Sequence, residues 1–177
     1  MDWRKLQNGS DIRGVALEGI EGEHVNLTHE VIVTIAKSFV KWLRNTTGHD
    51  APTIAVGMDC RLSGERIKSA FVDGAVEVGA HVVDCGLAST PAMFMTTISE
   101  QVKAQASVMV TASHLPFNRN GLKFFTPKGG LDSKDIAAIL DIAAKGDYAF
   151  DGAACSSATF DFMSVYSRHL ADYICAG

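Results

Sequence analysis

Ser113 and His114 stand side by side where an apolar run gives out, and Lys123 lies near the start of the next one. The run before them, Ala106-Ser107-Val108-Met109-Val110-Thr111, reads as a buried strand. Between the two runs the chain is polar and carries Pro116 and Gly121, the composition of a loop. In open α/β sheets, ligands bind beyond the carboxyl ends of strands. A hydroxyl nucleophile, an imidazole and an ammonium in one such loop suit phosphoryl transfer, which depends on positioning and charge neutralisation. The adjacency of Ser113 and His114 does not by itself make a hydrolase pair, because neighbouring side chains in extended chain point to opposite sides. No Gly-x-Ser-x-Gly elbow is present either. The P-loop and Gly-x-Gly-x-x-Gly patterns are also absent, so a nucleotide-dependent kinase or a dehydrogenase has no support.

The elements that must position this loop follow from apolar periodicity. Val31, Ile32, Ile35, Ala36, Phe39, Val40 and Leu43 recur at helical spacing and predict an amphipathic helix from about Thr28 to Arg44. Thr53 to Met58 is a short apolar strand. Ser63 is placed to cap the next helix, which buries Ile67, Ala70, Phe71, Gly74, Ala75 and Val78. Ala80 to Cys85 is a third strand, and Thr90-Pro91 starts a short helix running to about Ser99. Asp132 or Ser133 caps a helix carrying Ile136, Ile139, Leu140 and Ala143. Residues 146–158 read as a linker-like loop, and Phe162, Val165, Tyr166, His169, Leu170 and Tyr173 mark a last helix. Strand and helix alternate, which predicts an α/β fold: a three-layer α/β/α domain with a mixed, mostly parallel sheet. The return from Thr111 to Leu122 is too short for a helical crossover. Residues 122–126 are therefore expected as an antiparallel neighbour or an edge strand.

Composition narrows the class. The chain has 177 residues, 47% hydrophobic and 20% charged, enough for one domain with a real core. A net charge of −4 argues against a general nucleic-acid binder. Cys60, Cys85, Cys155 and Cys175 form no C-x-x-C pair and are expected to be buried free thiols. No signal peptide and no run of transmembrane length is present, so a cytoplasmic location without membrane partners is expected.

Thr111-Ala112-Ser113-His114-x-Pro116, followed by Asn120-Gly121-x-Lys123, resembles the active-site loop of the α-D-phosphohexomutases. That family includes phosphoglucomutase, phosphomannomutase and phosphoglucosamine mutase. Leu115 stands where the family usually has Asn. Asp11-Ile12-Arg13-Gly14 resembles the Asp-x-Arg-Gly element that opens such enzymes, where the Arg reaches into the catalytic pocket. A guanidinium offers a fixed fork of donors suited to phosphate oxygens. Gly57-Met58-Asp59-Cys60-Arg61-Leu62-Ser63-Gly64 and Gly86 to Pro91 resemble two further family turns. Asp59 and Arg61 are read as shaping the loop beside the site, and the second turn as structural.

The resemblance implies a set of roles. Ser113 would carry a phosphoryl group, Arg13 would orient phosphate, and His114 and Lys123 would serve proton transfer. As a base, Lys123 would need a lowered pKa, with nearby cations such as Arg13 as the cause. The phosphoserine oxygen would be this chain's one ligand to Mg²⁺, and a hexose 1,6-bisphosphate would act as activator. The reaction implied interconverts hexose 1-phosphate and hexose 6-phosphate through a bisphosphorylated sugar. The resemblance spans residues 1–177 but only the first of the family's four domains. No Asp-Gly-Asp-x-Asp-Arg metal loop, Gly-Glu-x-Ser-Gly-His sugar loop or Arg-x-Ser-x-Thr-Glu-Pro phosphate clamp is present. The chain is therefore expected to be the phosphoserine domain of a longer enzyme, inactive alone, whose partners are a hexose phosphate and the remaining domains. A non-catalytic binding or regulatory module and a serine-dependent sugar phosphatase remain open beside it.

Overall fold

The computed structural model describes residues 1–176. After a 3₁₀ turn at Trp3–Leu6 come strands β1 (Gln7–Asn8) and β2 (Asp11–Val15). Helix α1 (His29–Thr47) starts at Thr28, whose side chain accepts a hydrogen bond from the Val31 amide. It ends at Gly48, which takes the left-handed conformation. Strand β3 (Thr53–Met58), helix α2 (Gly64–Glu77), strand β4 (His81–Leu87) and the short helix α3 (Thr90–Met95) follow. Strands β5 (Ala106–Val110), β6 (Arg119–Thr126) and β7 (Gly129–Gly130) precede α4 (Ser133–Lys145). Asp132 caps α4 in a reciprocal capping box with Asp135. The chain closes with β8 (Ser157–Thr159) and α5 (Phe162–Cys175).

The strands form one mixed sheet in the order β1-β2-β6-β5-β3-β4-β8, with β7 paired to β6. Its parallel part is the block β5-β3-β4-β8, while β1, β2, β6 and β7 join antiparallel, a larger antiparallel share than alternation alone implies. The reason is β6: it returns directly from β5 and pairs with β2 on its other side, so it is an internal antiparallel strand. The expected linker over residues 146–158 contains the start of β8, which adds to β4 in parallel. Its exposed, unpatterned residues carry no strand signal.

Two cores flank the sheet. Ile54 and Val56 of β3, Val108 and Val110 of β5, and Leu122 and Phe124 of β6 pack against α1, α2 and α4. Phe39, Phe71 and Phe124 meet at its centre. Ala55 and Met109, one residue out of phase, face α3 and α5 instead. This is the expected three-layer arrangement. The second layer is thinner: in α5 only Phe162 is fully buried, Met163, Val165 and Tyr166 are partly buried against it, and Leu170, Tyr173 and Ile174 face solvent.

Two further expectations are corrected. Ser63 makes no capping hydrogen bond; its Oγ instead accepts from Asn120 Nδ2 at 2.9 Å, because β6 passes beside the α2 start. All four cysteines are free, but only Cys85 is buried, since its strand turns it into the α3–α5 core while Cys60 and Cys175 lie at exposed element ends. Among the described residues no helix is long and apolar enough to cross a membrane.

Candidate active site

The chain order places a switch point at β3. The connection through α2 carries β3 to β4 on one side, and that through α3 returns to β5 on the other. Loops leaving β3 and β5 therefore emerge side by side, the crevice where open α/β sheets take ligands. Met58 and Val110 are partners in the ladder, so Asp59–Arg61 leaves next to Thr111–Ser113.

Hydrogen bonds lock these two loops together. The Thr111 hydroxyl donates to Asp59 Oδ2 at 2.6 Å and accepts from the Ser113 amide at 2.9 Å. Arg61 then gathers the rest of the loop. Its Nη2 donates to the carbonyls of Ser113 at 2.7 Å and Leu115 at 2.8 Å, and its Nη1 to those of Pro116 at 2.9 Å and Arg119 at 3.0 Å. Asp59 steadies Arg61 in turn, accepting its backbone N–H at 3.1 Å and lying 3.5 Å from its Nε. The loop-shaping part expected of Asp59 and Arg61 is this network. Leu115, in place of an Asn, enters it only through its backbone. On the far side, Glu23 accepts from Asn118 and Arg119, both at 2.7 Å. The Arg119 hydrogen bond, then the Asn118 one, holds the Glu23 carboxyl below its usual range.

Ser113 sits at φ +57, in the left-handed region. A side-chain-bearing residue stays there only where its surroundings over-determine it. Here its amide is tied to Thr111 and its carbonyl to Arg61. The hydroxyl is left exposed at the tip. This conformation corrects the extended-chain argument for Ser113 and His114. Their side chains do not diverge, and Ser113 Oγ lies 3.4 Å from His114 Nδ1.

Arg13 and Lys123 come from neighbouring antiparallel strands. Asp11 pairs with Lys123 and Arg13 with Gly121, and alternation puts Asp11, Arg13 and Lys123 on the face away from α1. Gly121 is required there: a Cβ would stand 2.3 Å from Ile12 O and 2.8 Å from Arg13 Cγ. Arg13 Nη2 donates to Asp11 Oδ2 at 2.8 Å, and its Nη1 approaches the carbonyl of Ala112, next to Ser113, at 3.5 Å. Lys123 Nζ lies 2.9 Å from Asp11 Oδ1, a charge contact without hydrogen-bond alignment. The charge nearest Lys123 is thus a carboxylate, not the guanidinium of Arg13. Asp11 was missed by sequence reasoning. Its spacing from Arg13 places both on one strand face, but the lysine opposite is visible only in the register.

Among the described residues no group of three or more His, Cys, Asp or Glu side chains could hold a metal ion.

The family described as phosphoglucomutase/phosphomannomutase, alpha/beta/alpha domain I, matches residues 4–150. The chain is 38% identical over 122 residues to the phosphoglucosamine mutase of Ruminiclostridium cellulolyticum, covering 68% of this chain and 25% of that protein. It is 34% identical over 137 residues to the phosphoglucomutase/phosphomannomutase of Thermococcus kodakarensis, covering 77% of this chain and 28% of the other. The crystal structure of a phosphoglucomutase/phosphomannomutase family protein from Burkholderia thailandensis shares the fold, with TM-score 0.73, 24% identity, and coverage of 89% of this chain and 33% of that one. The chain thus spans between a quarter and a third of the length of these relatives. With its α/β/α layers and a family match that runs from residue 4 to residue 150 and includes the serine loop, this chain belongs to the phosphoglucomutase/phosphomannomutase family, as its domain I.

Proposed function

We propose that this chain is the phosphoserine-bearing domain of a phosphohexomutase and that Ser113 is the residue phosphorylated. The observation that carries the reading is the exposed Ser113 hydroxyl, held left-handed at the switch point within the family match. In the proposed cycle, phosphoserine 113 transfers its phosphoryl group to a hydroxyl of a hexose phosphate. The serine P–O bond breaks, a sugar P–O bond forms, and the sugar hydroxyl proton passes to a base. The bisphosphorylated sugar reorients and returns its other phosphoryl group to Ser113, restoring the enzyme.

Arg13 is assigned to orienting phosphate, supported by its approach to the Ala112 carbonyl. Lys123 and His114 are assigned to proton transfer, supported for His114 by its contact with Ser113 Oγ. A Mg²⁺ ion would neutralise phosphate charge in such a reaction. The side chains described here do not furnish a site for it, and this domain would offer only an oxygen of the phosphorylated Ser113.

The test is phosphopeptide mapping and a coupled mutase assay on a longer protein containing this domain. One phosphate on Ser113, and loss of turnover by at least about 10³-fold in Ser113→Ala, is expected for removal of a covalent nucleophile. Near-normal turnover of Ser113→Ala would sink the reading. The 177-residue chain alone is proposed to show no mutase turnover.

A further inference from the structure

Asp11 is one of the most deeply buried charged residues in the protein, with 5% of its surface exposed. Its two oxygens face two different cations, Arg13 at 2.8 Å and Lys123 at 2.9 Å. Both cations are less buried than the carboxylate, with side-chain exposures of 16% and 31%. A buried carboxylate between two more open cations does two things. It fixes where both head groups stand, and it leaves the trio with a net charge of +1 rather than +2.

We propose that Asp11 is the positioning and charge-balancing residue of the phosphate site beside Ser113. It aligns Arg13 and Lys123 on one sheet face and limits their attraction for a phosphate dianion. A site that must both receive and surrender phosphoryl groups needs that limit, because a dianion held equally in every state gains nothing in rate. The inference rests on the reading of this loop as a phosphate site.

Asp11→Asn keeps the shape and removes the charge. The amide has one acceptor oxygen for two cations, so one of them loses its partner and turns to the open side. Removing one negative charge roughly 6 Å from a bound dianion, at the dielectric of water, corresponds to about tenfold tighter anion binding. The experiment titrates the 177-residue chain with inorganic phosphate at low salt and follows the backbone amide signals of Ala112 and Ser113. Wild type and Asp11→Glu, which retains the charge, are expected to bind weakly and alike. Asp11→Asn is expected to bind about tenfold tighter, with the gain shrinking as salt is added. Adding Lys123→Met to Asp11→Asn restores a net charge of +1 and should return the affinity to the wild-type level.

Affinity of Asp11→Asn within twofold of wild type, or no phosphate effect on those amides in Asp11→Asn, would overturn the inference. If Asp11→Asn does not fold, judged by thermal unfolding, Asp11→Ser makes the same charge change and is held to the same criterion. These results are separate from the fate of Ser113: an active Ser113→Ala parent removes the mutase reading, whereas an unchanged Asp11→Asn removes only the charge-balancing role.

Discussion

Replacing Arg61 by Ala tests whether the serine loop is held by one side chain. The Arg61 side chain is 12% exposed and donates to four carbonyls spread over Ser113 to Arg119. The bonds to the Ser113 and Pro116 carbonyls are at exposed positions, so water replaces the guanidinium there at little cost. The bonds to Leu115 and Arg119 are partly buried. At about 1.5 kcal/mol for each hydrogen bond from a charged donor, their loss costs roughly 3 kcal/mol. For a chain of this size ~1 kcal/mol moves the melting temperature by about 2–4 °C, so Arg61→Ala should melt roughly 6–12 °C lower. Arg61→Lys should fall between, because one ammonium cannot span carbonyls that a planar fork reaches. The local readout is amide hydrogen exchange. The Leu115 and Arg119 amides bond within the loop, to Ala112 and Pro116, and should lose protection ahead of the core. On the proposed mutase reading, a longer protein containing this domain should lose on the order of 10²-fold in turnover when the serine is displaced by about 1 Å. An Arg61→Ala protein that melts within about 1 °C of wild type, with unchanged exchange at these amides, would show that the loop holds itself and refute the argument.

Ser113→Gly removes the penalty of a left-handed serine, about 1–2 kcal/mol, at the cost of glycine's extra unfolded-state freedom of about 0.5–1 kcal/mol. Its melting temperature should rise slightly or stay level, and a fall of more than about 4 °C would mean that the φ of Ser113 stores no strain. Burial, then the neighbouring Asp84 charge, opposed by Lys68, pushes the Cys85 thiol up to about 12 from its ordinary 9.0. On the native protein at pH 8, iodoacetamide should therefore label Cys60 and Cys175 and spare Cys85, read by peptide mass spectrometry. The thiol's proton is lost more readily in the unfolded chain than in the folded one. Its contribution to stability is thus complete below pH 9.0 and declines as pH rises from 9.0 toward about 12; a Cys85→Ala variant should lose that part of the alkaline decline. Leu170, Tyr173 and Ile174 of α5 are 41%, 78% and 75% exposed, so the purified chain should self-associate in sedimentation, and charged substitutions at Tyr173 and Ile174 should reduce this. Unchanged sedimentation would show that the face is inert.

Some residues that start elements were legible in the sequence because their physics is local, although Ser63, expected as a cap, turned out to bond Asn120 instead. Thr28 and Asp132 bond amides within their own first turns, and the Phe39 stripe needs only helical spacing to declare a buried face. The serine loop was legible for the same reason, since an apolar run ending in polar residues announces a strand mouth. Contacts between distant segments were not. Whether β6 lies at an edge or inside the sheet, and which residue faces Lys123, depend on the β2–β6 register, which pairs positions more than a hundred residues apart in the chain. The left-handed turn at Ser113 was hidden too, because nothing in Ser-His demands it; Thr111 holds its amide, and Arg61 holds its carbonyl across a separation of 52 residues. The sequence alone determined which side chains with chemical capability lie on the chain and at which strand end they emerge. Tertiary structure decided their partners and conformations, because hydrogen bonds and charges act over a few ångströms of space, whatever length of chain lies between them.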